Sequence, residues 1–289
     1  MTDESPLRGA LPVQVPAWGD TGVLWLLAQR AVWWPAGSTL FVADVHLGKA
    51  AAFRAAGVPV PSGTTRDNLQ RLGALLQASG ARRLVVLGDW LHARAARTPA
   101  VLQALRDWRA AHAALQCVLV RGNHDTHAGD PPPELAMEVV DEPWPLGPWV
   151  CHHAPPPASA AAPAPGELRS ASRWWADTDP HPLPPPAPPM ALCGHTHPVA
   201  VVRGGARERL RLPCYVLTPS ALWLPAFGAF TGGRAVAWQS EQQRCVLAEG
   251  AVWPVDVRWP KPWSQVRATA SMQPAADEEV PTREGSCQA

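Results

Sequence analysis

The chain reads as an α/β protein, and its pattern of elements carries that reading. Between Thr39 and Val120 the order is strand, helix, strand, helix, strand, which implies a right-handed, largely parallel sheet with packed helices. After Gly129 short apolar runs alternate with turn residues, which predicts a second, more antiparallel sheet. A further observation concerns chemistry. Asp44-Val45-His46, Gly88-Asp89, Gly122-Asn123-His124-Asp125, His152-His153 and Gly194-His195-Thr196-His197 each follow a short apolar run. Strands that end together bring their following loops to one edge, where α/β proteins place their sites.

The elements follow in order. Residues 1–21 read as an irregular lead and 22–261 as the folded domain. Gly22 to Pro35, rich in Leu, Val and Trp, reads as a strand pair, and Thr39–Val45 as a strand. Thr64–Ser79 has helix logic: Thr64 or Thr65 can cap it, Leu69, Leu72, Leu75 and Leu76 form a stripe, and Gly80 can close it. Arg83–Leu87 and Gln116–Val120 read as strands. Pro99–Ala113, with Pro in its first turn, reads as a helix burying Val101, Leu102, Leu105 and Trp108. Glu138–Val140, Pro148–His152, Met190–Cys193, Val199–Arg203, Arg207–Leu212, Tyr215–Leu217 and Ala235–Trp238 are the short strands of the second half. The insertion 154–189 is rich in Pro and Ala and offers few ladder donors, so it reads as a long excursion, with Trp174 and Trp175 placed to pin it locally or, as the alternative, to touch substrate. Residues 262–289 are polar and acidic and read as a disordered tail.

Composition narrows the function classes. An apolar fraction of 47% in 289 residues can fill a sizeable core. No apolar run reaches the roughly eighteen residues of a membrane span, so no membrane partner is expected. The N-terminal residues lack a basic region followed by an apolar one, which argues against a secretory signal. The six cysteines form no C-x-x-C pair, a usage that suits a reducing cytoplasm. A net charge of +1 names no partner. Residues 49–109 carry ten basic side chains against three acids. That flank could accept a phosphate-rich polymer, but it lacks aromatic interleaving, and the solvated face of two helices explains it more simply. Only two lysines stand beside twenty-three arginines.

The motifs imply metal chemistry. Asp44 and His46 are two apart, as are His195 and His197, and in extended chain such pairs project to one side. Asp89 ends a strand, where a carboxylate can bridge two cations. Asn123 offers a neutral carbonyl oxygen. His152 and His153 point opposite ways in a strand, so one of them is a ligand: His152 is the first candidate and His153 the alternative. Imidazole and carboxylate without thiolate suit Mn, Fe or Zn at a hydrolytic centre. Two such cations bind a bridging hydroxide and stabilise the attacking and leaving oxygens of an in-line displacement, with no side-chain nucleophile. Neither G-x-S-x-G nor a phosphate-binding G-x-x-x-x-G-K-[ST] loop is present. Gly88 and Gly122 let the backbone turn sharply. His124 is free to face the substrate and to protonate the leaving alkoxide, with Asp125 orienting it. His92 lies close enough to Asp89 to support the site, whereas His112, His127 and His181 read as ordinary polar residues. Arg54, Arg94 and Arg97 are candidates to bind phosphate.

The ordered series D-x-H, GD, GNHD, H and GHTH resembles the calcineurin-like metallophosphoesterase superfamily. The resemblance implies a four-layer α/β/β/α sandwich of two mixed sheets with a dinuclear centre. It implies ligands at Asp44, His46, Asp89, Asn123, His152, His195 and His197, and catalysis by His124. ADVHLGKAAAFRAAGVPVPSGTT, VLGDWLHAR, VRGNHD, CGHTHP and LPAFGAFTGG (Leu224–Gly233) further resemble the prokaryotic ligase-associated DNA-damage-response endonucleases. That group implies a metal-dependent phosphodiesterase acting on DNA in repair, with a DNA ligase and a helicase as partners; of the metals that the donor types suit, Mn (manganese) is the first expected, with Fe and Zn as alternatives. Spacing assigns LPAFGAFTGG no chemistry. A small-molecule phosphoesterase, acting on a cyclic nucleotide or nucleotide sugar, would use the same metals and His124. A non-catalytic docking subunit would be expected to have lost a ligand, and none is missing.

Overall fold

The computed structural model describes residues 7–157, 189–203, 209–237, 239–255, 261 and 263–265. Its first sheet holds β1 (Leu11–Gln14), β2 (Val23–Leu27), β3 (Ala31–Trp34), β4 (Thr39–Val42), β5 (Arg83–Leu87), β6 (Gln116–Val120) and β7 (Met137–Val140). The second holds β8 (Trp144–Leu146), β9 (Trp149–Cys151), β10 (Met190–Cys193), β11 (Pro198–Arg203), β12 (Arg209–Leu217), β13 (Ala221–Trp223) and β14 (Arg234–Ala235), with β15 (Gln243–Ala248) and β16 (Ala251–Pro254) added beside β12. A short β17 (Ser264–Gln265) returns to the first sheet beside β1. The helices are α1 (Lys49–Ala55), α2 (Thr64–Ser79), α3 (Pro99–Ala111) and α4 (Asn123–Ala128). Two mixed sheets flanked by helices make the expected α/β/β/α sandwich.

The central strands are apolar on both faces because both faces are covered. Side chains alternate along a strand. Leu84 and Val86 of β5 therefore pack on Leu69, Leu72 and Leu76 of α2 and on Leu105 and Trp108 of α3. Val85 and Leu87 face the other way, into a core shared with Trp149, Leu192, Tyr215 and Leu222 of the second sheet. β4 and β6 repeat the division with Leu40 and Leu119 against Phe41 and Val120. The Tyr215 hydroxyl lies in that inter-sheet core and is satisfied there, donating toward the carbonyls of Leu27 and Ala31, each at 2.7 Å.

Several sequence expectations change. The first sheet is parallel only from β4 to β7, and β1 to β4 run antiparallel. The lead is not irregular throughout: Leu11 and Val13 bury their side chains in the core, and β1 pairs with β2. The tail begins ordered, with Trp263 buried against the core and β17 on β1. Tyr215–Leu217 and the segment from Arg209 form one strand, because β12 pairs first with β11 and then with β13 and β15. The first residue of α2 is Thr64 itself, so Gly63 takes the cap position, and the Thr65 hydroxyl instead accepts from the Gly48 N–H. Thr98 caps α3 by accepting from Val101. Trp174, Trp175 and nearly all of the Pro/Ala-rich insertion lie outside the described residues.

Candidate metal centre

β4, β5 and β6 run parallel, so their C-terminal ends share one edge, and β9 and β10 of the second sheet are parallel to each other and end beside them. The pairing of β4 with β5 continues past the strands: Asp44 N–H donates to Gly88 O at 3.2 Å and His46 N–H to Asp89 O at 2.8 Å. The His195 N–H donates to the Asp44 carboxylate at 2.9 Å, which ties the two sheets together at the site. Asp44, His46, Asp89, His195 and His197 all have φ between 44° and 64°. For non-glycine residues that left-handed conformation costs on the order of 1–3 kcal/mol each, and it persists only where the surroundings impose it. Asp44 and His46 thus share a side because both are kinked, not because the chain is extended. Gly88 also has φ +81°, and a methyl group there would overlap the His153 ring. Gly122 turns with an ordinary negative φ; its lack of a side chain makes room for the Asp89 carboxylate.

Two groups of donor atoms meet on Asp89. In the first, Asp44, His46, Asp89 and His197 bring ligand atoms within 4.8 Å of one another. His197 Nε2 lies 3.3 Å from Asp44 Oδ1, and His46 Nε2 lies 3.7 Å from Asp89 Oδ2. In the second, His153 Nε2 lies 2.8 Å from Asn123 Oδ1, 3.0 Å from His195 Nδ1 and 3.6 Å from Asp89 Oδ1. The two oxygens of Asp89 therefore face two different groups. The expectation of His152 is corrected. Its N–H still bonds to Leu192 O as part of the sheet, and its ring turns away toward Glu142 at 3.9 Å. His153, whose N–H donates to Glu142 Oε2 at 2.6 Å, is the histidine that reaches the cluster.

The donor set fits divalent cations. Asp44 and Asp89 are 0% and 2% exposed. Among the described residues only imidazoles come within ion-pair distance of them. Burial raises the Asp89 pKa, opposed by His153 and reinforced by the Asp44 charge. Burial, and then the charges of Lys49 and the neighbouring histidines, push His46 down to about 2, so its ring is neutral and offers one nitrogen lone pair. His46 Nε2 and His197 Nε2 face each other at 3.5 Å beside two carboxylates, an arrangement that a cation between them satisfies.

His124 sits at the start of α4. A ring nitrogen against a carbonyl must be a donor, so its Nδ1, 2.7 Å from His92 O, carries the proton and leaves Nε2 as the exchangeable position. The His92 ring stacks on it at 5.0 Å, and His46, His92 and His124 form a further group with metal-ligand spacing, apart from the two that meet on Asp89. Asp125 does not orient His124. Its buried carboxylate accepts from the N–H groups of Asp89 (2.7 Å), Trp90 (3.0 Å), Leu91 (3.3 Å) and Gly122 (3.0 Å), which holds the Asp89 loop.

Leu224–Gly233 acquires a structural role. Phe227 N–H donates to Ala43 O and Gly228 N–H to Asp44 O, so the loop splints the Asp44 turn. Arg71 donates to Phe227 O and lies 4.1 Å over the Phe227 ring. Gly232 O lies 3.2 Å from His197 Nδ1, which fixes the tautomer that turns Nε2 toward Asp44. Sequence reasoning missed these backbone carbonyls, the role of Glu142, and Lys49, which lines a cleft with His195 and His197. Carbonyl partners carry no sequence signal. Lys49, as one of two lysines in an arginine-rich chain, carried a faint one. The basic flank is mostly spent on structure: Arg54 bonds the carbonyls of Val60 and Pro61, and Arg97 those of Ala128, Gly129 and Asp130. Arg94 stands exposed in a short 3₁₀ turn. His112 and His127 bond carbonyls of their own helices, and His181 lies outside the described residues.

The profile of the calcineurin-like phosphoesterase family matches residues 37–199. Among solved structures, the nuclease MPE of Pseudomonas putida is 40% identical over 85% of this chain and 100% of that chain, with a TM-score of 0.65. The phosphoesterase YfcE of E. coli is 16% identical over 73% of this chain and 88% of that chain, and its TM-score of 0.32 is too low to carry weight. Among curated proteins no match was found. With the profile spanning more than half of the chain and carboxylate–imidazole clusters at the sheet edge, this protein belongs to the calcineurin-like phosphoesterase family and is a hydrolase of phosphoester bonds.

Proposed function

We propose that the protein is a metal-dependent phosphodiesterase that cuts DNA, a member of the ligase-associated DNA-damage-response endonuclease group. The observation that carries the hydrolytic reading is Asp89, one buried carboxylate facing two donor groups. DNA as substrate is supported by the 40% identity to the P. putida nuclease.

Asp44, His46, Asp89 and His197 would hold one cation, and Asp89, Asn123, His153 and His195 the other. Held by these residues, two divalent ions would supply a hydroxide nucleophile and positive charge for the attacking and leaving oxygens. The protein's own residues do the rest. Asp44 and the His46 ring, both buried, offer their donor atoms from the inner side of the centre. Asp125, through four backbone N–H groups, sets the height of Asp89. His124, its Nδ1–H held by His92 O, presents Nε2 to the site; with both ring nitrogens protonated it would give the Nε2 proton to the leaving alkoxide and return to the neutral Nδ1–H ring. The donor set, imidazole and oxygen without thiolate, suits Mn, Fe or Zn, and Mn is the first of these to test. Free, buried cysteines at 117, 151, 193, 214 and 245 support a reducing, cytoplasmic location.

The test is hydrolysis of bis-p-nitrophenyl phosphate and p-nitrophenyl phosphate with Mn²⁺ or chelator, repeated on labelled single-stranded DNA. Metal-dependent cleavage of diester and DNA is the expected outcome. Diester turnover with DNA intact would replace the nuclease reading with a small-molecule phosphodiesterase.

A further inference from the structure

A one-sided row of cations leads away from the metal edge. The cleft beside His195 and His197 has a volume of about 390 Å³ and is lined also by Lys49, Gly233 and Arg234. Lys49 is half-buried. Burial lowers its pKa and the Asp89 and Asp44 carboxylates raise it, so its ammonium feels the site. Arg234 is placed by backbone: its N–H donates to His197 O at 2.9 Å, and β14 pairs with the first residues of β11. The Arg211 guanidinium donates to Gly233 O at 2.7 Å, which brings this β12 side chain to the rim of the same cleft. Arg209 lies two residues along the strand. Period-two alternation puts it on the Arg211 face, about 6.8 Å farther out. Arg209, Arg211 and Arg234 are exposed. The opposite face of the hairpin presents Val202 and Leu210, which pair across the strands and are exposed without charge. The described parts of β11 and β12 contain no acidic residue.

From this geometry we infer that the β11–β12 hairpin is a track for the phosphates of a single nucleic-acid strand, with Lys49 and Arg234 at its base and Arg211 and Arg209 along it. The inference rests on the nuclease reading and extends it from the cut bond to the flanking chain. A lone phosphodiester would meet only the base of the track. A row of guanidinium groups starting at the metal edge matches a ligand that repeats its charge, and the planar fork suits phosphate oxygens. The site therefore selects for polymer length.

The experiment compares the metal-loaded His124→Ala protein, used to slow cleavage, with the same protein carrying Arg209→Glu and Arg234→Gln. Binding of a long and a short fluorescent oligothymidylate is followed by anisotropy across a salt series. Losing two phosphate contacts should lower the slope of log K against log salt by about 1.4, at about 0.7 per contact on single strands. The Kd should rise more for the long oligomer than for the short one. An unchanged slope and Kd, or an equal loss at both lengths, would overturn the track while leaving the nuclease reading intact. If the protein without the two track substitutions binds neither oligomer and the wild type leaves DNA uncut, the nuclease reading itself falls and the track with it.

Discussion

His152 and His153 are separated by one peptide, yet only His153 reaches Asn123 and His195. Strand alternation left the choice open, and the break in β9 after Cys151 decided it. His153→Ala is expected to lower metal content and diester turnover at least tenfold, since a missing ligand costs no less than the roughly 10–100-fold of a lost supporting partner. His152→Ala, which removes a ring facing Glu142, should keep its metal; metal analysis of the two purified variants separates them. His124→Ala should retain metal and lose about 10²–10⁴-fold in kcat, the usual share of general acid catalysis. Full activity in that variant would remove His124 from the reaction.

At the scale of elements, the metal edge is held by turns more than by strands. Asp125 is the clearest case, because its carboxylate satisfies four backbone donors of two different loops. Asp125→Ala would orphan several buried N–H groups at about 1–3 kcal/mol each. A loss of at least about 3 kcal/mol is expected, read from the midpoint of chemical denaturation, together with weaker metal binding. The Leu224–Gly233 loop acts similarly on Asp44 and His197. Arg71 joins that loop to α2, and Arg71→Ala should weaken metal affinity by about 10–100-fold, the range for a removed supporting contact. Titration of metal-dependent turnover would check it; an unchanged midpoint would mean that the loop holds itself. α1 escaped sequence reasoning for a physical reason. Lys49–Ala55 is a short, alanine-rich segment with no apolar period, and its position comes from Gly48 and Ala96 packing closely.

At the scale of the whole molecule, the sandwich concentrates negative charge at one buried edge. Asp44 and Asp89 come from adjacent strands of the first sheet, while His153 and His195 come from the second. Metal binding should therefore couple to the packing of the two sheets. At a hundredfold excess over Kd, a cation that binds only the folded state stabilises it by about 2.7 kcal/mol. Chelation should lower the thermal midpoint, and excess Mn²⁺ should restore it. A midpoint indifferent to chelator would mean that the buried carboxylates are stable without a cation.

By itself the sequence determined the strands that carry the motifs and the order in which the candidate ligands appear. β5, β6, β10 and α2 have the bounds that their apolar patterns predict, because burial on both faces or along one stripe writes itself into residue type. The parallel core was legible for the same reason, and the candidate ligands Asp44, His46, Asp89, Asn123, His195 and His197 stood out only as polar motifs placed directly after those apolar runs. Tertiary structure alone decided which of two adjacent histidines reaches the cluster, what Asp125 holds, and that Lys49 and Arg234 line one cleft. Those outcomes depend on left-handed turns, backbone carbonyls and the meeting of two sheets. They join residues far apart in the chain through groups that every amino acid carries, so no residue type marks them in advance.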